Sequence, residues 1–411
     1  LFFRGVSLFY LSVYFTFGGP YDGYPLKLDL NHGEISHYST ADLVHMAIDD
    51  LNFSKVLMSI SGSERESKHH INKDVIDSYL AYAFASIGDW DSVLNHTESV
   101  INSGYTILTE TQATESGFND INELSASVIW GKDLKEEDGV GLISFWGHID
   151  IYSYSYAWAG TRKIMDRGLF AQIPADDVRK GQFYDAFGTP YDMVPYYKFY
   201  DGNRVEGLQR TITTDYIFIR VAEIYLLHAE ASAKIGYEDS AKTYLKVLLD
   251  KRVVDSSYVD ALNGQALLDE IYLQTRIEMW GEGKSYLAMK RNQATITRGV
   301  NWLDFTGDSF SFDDPRLSFN ASRVDHINLT GFKTEWKIDS PSEITIYTNP
   351  NYDYNYFIDW GNGDSSDENT GNLSNYYQPG TYTITINGDF PHFMASGLNG
   401  EDAENGEKLT K

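Results

Sequence analysis

The chain has 411 residues, 42% hydrophobic and 22% charged, with 59 Asp and Glu against 33 Lys and Arg and a net charge of −26. This composition excludes wholesale disorder, the length suits two cores rather than one, and the acidity, with no run of Lys or Arg, excludes a phosphate-binding patch for nucleic acid. Cysteine is absent, which removes disulfides and thiolate metal sites, while 30 Tyr, 22 Phe and 8 Trp supply flat faces of the kind on which sugar rings stack.

The first apolar stretch runs from Leu1 to Phe17, interrupted by Arg4 and Ser12. It lacks a basic flank and a small-residue cleavage site, and it is shorter than the about 20 residues a membrane span needs, so a buried helix is expected. There is no initiator Met, and the chain is expected to begin inside a longer protein. Next comes a helix opening at Asn72 or Asp74, either of which can cap it, with Ile76, Tyr79, Leu80, Ala83 and Ile87 on one face. After a break at Gly88 and Asp89 a second stripe follows: Trp90, Val93, Leu94, Thr97 and Ile101. The same plan recurs as Val221, Ile224, Tyr225 and His228, a break at Gly236, then Ala241, Tyr244, Leu245 and Leu248. Ala81, Ala85, Ala222, Ala229 and Ala233 are small enough for helices to approach closely. Such pairs resemble tetratricopeptide repeats, with unrelated helical hairpins as the alternative. From about residue 331 to 390 the period changes to two, as in Tyr382, Ile384 and Ile386 against Thr381, Thr383 and Thr385, which predicts strands. Residues 391–411 are polar and Gly/Asn-rich and are expected to be disordered.

The stretch Phe145 to Trp158 (FWGHIDIYSYSYAW) is the most suggestive for binding. If it is extended, Tyr152, Tyr154, Tyr156 and Trp158 point to one side, with His148 and Asp150 close enough to bond sugar hydroxyls and Trp146 opening the platform. The same alternation also describes a strand that packs its aromatic face into a core. Asp359, Asn362, Asp364, Asp367 and Glu368 form an oxygen-rich loop that is a calcium candidate, although it lacks the EF-hand spacing; a solvated hairpin turn is the plainer reading. Arg220, Glu223, Glu230, Arg276, Glu278 and Glu282 sit on helices with apolar stripes, so ion pairs that fix helix packing explain them better than acid/base chemistry. No G-x-S-x-G, H-E-x-x-H or glycine-rich phosphate loop occurs, and the adjacent His69 and His70 cannot share a helix face. No cofactor is expected.

Several segments, in order, resemble the SusD/RagB family. They are Arg4-Gly5 through Phe17-Gly18-Gly19-Pro20-Tyr21, Asp49-Asp50-Leu51, Ile71-Asn72-Lys73, Gly117-Phe118-Asn119-Asp120 with Ser127 to Trp130, and Asp177-Val178-Arg179. The fullest match is Arg220 to Ala231, followed by Arg276 to Gly283 and Lys290-Arg291. The resemblance implies a mainly α fold of tetratricopeptide-like helix pairs with long loops over residues 1–320. It also implies an outer-membrane, lipid-anchored nutrient-binding protein that is not an enzyme and passes oligosaccharide to a SusC-like TonB-dependent transporter. Its glycan-binding aromatics lie in variable loops, so no position is carried over by motif. The family's acylated Cys is missing here, and after Asp314 to Phe319 its usual tail is replaced. In its place, Phe357 to Ser365 and Tyr376 to Ile384 resemble PKD-like modules of bacterial surface proteins, which implies a small β-sandwich over residues 331–390. A surface adhesion protein that binds host material through that module is the alternative function, and a glycosidase the third.

Overall fold

A computed structural model describes residues 1–15, 24–26, 36–62, 64–114, 120–199, 204–302, 304–314, 317, 332–350, 354–368, 371–390, 393–396 and 403–410. The segment Phe17 to Tyr21, Gly117 to Asn119 and the Pro315-Arg316 pair lie outside the described residues. The chain divides into two units, one formed by Leu1–Gly23 and Tyr38–Ser318, the other by Tyr24–His37 and Phe319–Lys411.

In the first unit the opening apolar stretch forms helix α1 (Phe2–Phe15), which buries Phe2, Gly5, Leu8, Phe9, Ser12 and Val13 at helical spacing. It packs on α2 (Thr40–Ser61), where Arg4 forks onto Asp50 with two contacts of 2.6 Å. Among the described residues no helix is long and apolar enough to cross a membrane. Helices α3 (Lys73–Ile87) and α4 (Trp90–Ile101) form the first hairpin. Asn72 caps α3, its side chain accepting from the Val75 amide at 3.1 Å, and Asp89 caps α4 by accepting from Ser92 at the same distance. Between them Gly88 takes φ 76°, a left-handed conformation that ends α3 without a Cβ clash. Helices α5 (Val221–Lys234) and α6 (Glu238–Leu249) form the second hairpin, and α4 packs directly on α5. Ala81, Ala85, Ala222 and Ala229 are buried at these helices, whereas Ala233 is only half-buried. Strand β1 (Val128–Lys132) pairs antiparallel with β2 (Tyr216–Arg220), and helices α7 (Gln265–Glu278) and α8 (Ser285–Arg291) follow.

The charged residues of these helices form a buried network. Glu278 takes Arg220 at 2.7 Å and Arg252 at 3.0 Å on one oxygen, and Arg252 at 3.0 Å and Arg179 at 3.3 Å on the other. Glu282 pairs with Arg220 and Lys198, Glu223 with Lys284, and Glu230 with Arg291. Ion pairs are therefore present at five of the six residues named from sequence, whereas Arg276 lies over the Tyr272 ring at 5.6 Å, and the cations reaching Glu278 come from three segments distant in sequence. Burial opposes charge on Glu278, yet three guanidiniums overcome it and hold the carboxyl well below its usual 4.5.

The second unit contains β3 (Phe332–Ile338), β4 (Ser342–Ile346), β5 (Asn355–Asp359), β6 (Ser365–Glu368), β7 (Leu373–Tyr377) and β8 (Gly380–Asp389). Four strands run in the order β6-β5-β8-β3 and two as β7-β4, all antiparallel, with Tyr382 opposite Trp336. Trp336, Ile344, Ile358, Trp360, Ile384 and Ile386 form one buried cluster drawn from both sheets. Tyr382 packs at its edge, half-buried, and donates to the Gln378 carbonyl at 3.1 Å. Gly361 sits at φ 69° where a Cβ would collide with the Thr383 carbonyl. The tail expected to be disordered is a correction over its described residues. Asn405 is buried and exchanges two 2.9 Å hydrogen bonds with the Thr345 backbone, and Leu409 bridges to Trp336. Paired backbone groups offset the ordering cost that the polar composition alone leaves unmet.

Candidate functional site

The aromatic stretch is not the extended strand that alternation predicts. It opens as a short helix, Phe145–Ile149, whose cap Ser144 accepts from the Gly147 amide at 3.1 Å, and continues in bends and turns. Local side-chain bonds divert it from a strand. Asp150 accepts the amides of Tyr152 at 2.9 Å and Ser153 at 3.3 Å; Ser155 donates to the Asp150 carbonyl and accepts from Trp158 at 3.0 Å. The turn is tied to the next loop, with Gly207 donating to the Tyr152 carbonyl at 2.8 Å and Tyr154 to that of Leu208 at 3.0 Å.

The alternation nevertheless survives as a burial pattern. Ser153, Ser155 and Ala157 are buried, while Tyr154, Tyr156 and Trp158 are 41, 42 and 39% exposed. Small residues point inward and rings point outward, the reverse of a strand that sinks its aromatic face into a core. Tyr154 and Trp158 lie with ring centroids 5.5 Å apart, and His148, half-buried, stacks on Tyr156 at 5.2 Å. Tyr152 is half-buried, with Arg204 over its face at 3.8 Å and Tyr196 at its edge at 5.5 Å, and burial raises its hydroxyl's pKa.

Two expected members of the surface are elsewhere. Trp146 is 1% exposed, packed in a core with Ile149, Phe199 and Ile212. Asp150 is buried under Arg210 at 3.0 Å and serves the turn, so neither joins the surface of exposed rings. Sequence reasoning also missed Arg162, which donates to the Trp158 carbonyl at 3.3 Å and lies 4.6 Å over the exposed ring of Tyr191. No short-range pattern links those two positions; only the high Tyr content hinted that further rings gather there. Within this stretch Trp146 Nε1 and His148 Nδ1, and just after it Arg162 Nε, are buried and meet no hydrogen-bond partner in the described chain. Each such group costs about 1–3 kcal/mol, so the stretch is not built for stability alone.

Other candidates carry less. A cleft of about 340 Å³ is walled by Phe145, Trp146, Phe199, Tyr216 and Phe218, but its two carboxylates are already engaged. Asp215 accepts two backbone amides and Glu282 holds its cations. The acidic loop of the second unit is a hydrogen-bonded turn: Asp359 accepts from Gly361 at 3.0 Å, Asn362 from Asp364 at 3.0 Å, and Asp364 from Asn375 at 3.1 Å. The Asp367 and Glu368 side chains lie outside the described part, and among the described residues no three His, Asp or Glu side chains gather as metal ligands.

A family model described as the SusD family matches residues 184–389, half of the chain. A SusD-like carbohydrate binding protein from Bacteroides vulgatus has a similar structure, with a TM-score of 0.61 and 21% identity over 77% of this chain and 70% of that one. A SusD superfamily protein from Bacteroides thetaiotaomicron gives 0.62 and 21% identity over 79% and 74% of the two chains. One from Bacteroides fragilis gives 0.62 and 18% identity over 79% and 73%. At these identities the likeness speaks for the fold. No curated protein matches the chain.

Proposed function

Because the chain belongs to the SusD family, we propose that it captures oligosaccharide on the exposed rings of Tyr154, Tyr156 and Trp158 and performs no catalysis. The observation that carries this reading is the burial pattern, in which Ser153, Ser155 and Ala157 anchor a turn that holds three large rings in solvent. Exposing that much aromatic surface is unfavourable unless a ligand covers it, and stacked sugar faces suit such rings. His148 beside Tyr156 and Arg204 over Tyr152 add polar edges for hydroxyls.

The family and the likeness to a carbohydrate binding protein support a site on the outer membrane, lipid-anchored, beside a SusC-like transporter that receives the glycan. The two hairpins act as tetratricopeptide-like units in a domain of residues 1–320. The strands of residues 331–390 act as a PKD-like β-sandwich spacer. Calorimetry with an oligosaccharide panel tests the reading, comparing wild type with Tyr154→Ala and Trp158→Ala. Each ring removed should weaken binding by about 1–3 kcal/mol, the scale for bases stacked on aromatic side chains, with unchanged melting. Equal affinity in all three proteins, or release of reducing sugar by the wild type, would overturn it.

A further inference from the structure

We propose that the surface around Trp158 and Tyr191 selects acidic saccharides, with the Arg162 guanidinium pairing an anionic substituent, a carboxylate or a sulfate ester, on the stacked sugar. The inference rests on the glycan-binding reading above and names the class of glycan.

Acids outnumber bases in this chain by 59 to 33, and Arg162 stands out among the described arginines because its Nε is buried and meets no acceptor. Its neighbours follow the ordinary pattern: Arg167 is paired with Asp185 and Asp192, and Arg210 with Asp150. Arg162 pairs with no carboxylate among the described residues. It makes one hydrogen bond, to the Trp158 carbonyl at 3.3 Å, and its Nε is buried without an acceptor. Its Nη1 makes no hydrogen bond among the described residues and is not among the buried atoms, so an arriving anion can bond there and neutralise a half-buried, poorly matched cation.

The geometry is prepared for that partner. The guanidinium is held 4.6 Å over the Tyr191 ring and bonded to the Trp158 carbonyl, and the two residues are 43 and 39% exposed. A planar fork held over one open ring and bonded to the backbone of the residue that carries another meets a sugar whose face stacks while its carboxylate or sulfate accepts N–H groups from the guanidinium. Because the side chain is already immobilised, little rotamer freedom is lost on binding. The net charge of −26 opposes an anionic ligand at long range. At physiological ionic strength, however, charges beyond about 8 Å are largely screened, so the local cation decides.

The test compares four probes on the full chain by calorimetry: a tetra-uronide, its methyl ester, an uncharged tetrasaccharide of the same linkage, and that tetrasaccharide carrying one sulfate ester. Wild type should bind the acid or the sulfate about ten- to a hundredfold more tightly than the uncharged forms. Whichever of the two is preferred identifies the source of the anion. Arg162→Gln should remove the preference for the acid over the ester, and Arg162→Lys should restore part of it; Trp158→Ala should weaken all probes together. Equal binding of acid, sulfate and uncharged forms by wild type would overturn acid selection and leave glycan capture standing. Binding of none would overturn both. The ester comparison needs no variant, so it holds even if a substitution perturbs folding.

Discussion

Replacing Glu278 with Gln keeps the shape of the side chain and removes its charge. Each carboxylate oxygen now accepts two guanidinium N–H groups, at 2.7 and 3.0 Å on one and at 3.0 and 3.3 Å on the other. In either orientation the amide turns an NH2 group toward two of those donors, so two charge-assisted bonds are lost. Arg179, Arg220 and Arg252 stay buried, with Asp177 and Glu282 as the acids that still pair with them among the described residues. Breaking a buried ion pair from one side costs about 3–5 kcal/mol. The unit that holds the network has about 300 residues. At about 2.1 cal/mol/K per residue its unfolding entropy is about 0.6 kcal/mol/K, so the melting temperature should fall by about 5–8 °C. Circular dichroism melts at pH 7 make the measurement. The pH dependence supplies a second check. The folded carboxyl titrates well below its usual 4.5, so its stabilisation is complete above 4.5 and is lost as pH falls through the depressed folded value. The gap between wild type and variant should therefore be constant from neutral pH down to about 5 and close below 4.5. A fall at pH 7 of less than about 2 °C, under half the entropy-based figure, would refute the reasoning.

Three further expectations follow from other sites. Ala229→Leu, at a fully buried position of α5, should overpack its surroundings and cost about 1–3 kcal/mol in chemical denaturation, whereas Ala233→Leu should cost less because that position is half-buried. Gly361→Ala needs a left-handed backbone and drives a Cβ into the Thr383 carbonyl, so it should cost more than the about 1–2 kcal/mol of the backbone alone. Hydrogen exchange of the β8 amides reports it, and unchanged protection counts against the turn's role. Burial lowers the pKa of His228 to about 4, with Thr97 at 2.8 Å and the Tyr244 ring tilted against it at 4.0 Å. Its contribution is present above the unfolded value of 6.5 and is lost as pH falls toward 4. An NMR titration that shows a charged ring at pH 6 would contradict this.

The sequence alone determined the elements whose signals are local. The first hairpin was legible from its stripe and from Asn72, Gly88 and Asp89, because a cap or a left-handed turn acts within three or four residues. Strand β8 was legible from Ile384 and Ile386 alternating with threonines, because a pleat repeats every two residues. What only the tertiary structure decided depends on contacts between distant segments. Local bonds from Asp150 and Ser155 bend the aromatic stretch, but which residues it buries is set by Arg210 and by the loop at Gly207 and Leu208. Sequence therefore showed an alternation without its direction, and it placed Trp146 on a surface when Phe199 and Ile212 enclose it. Arg162 reaches Tyr191, and Glu278 gathers three arginines, across separations that no periodicity encodes. Residues 403–410 read as polar tail because composition counts side chains, whereas Asn405 is held by backbone partners that only the folded sheet presents.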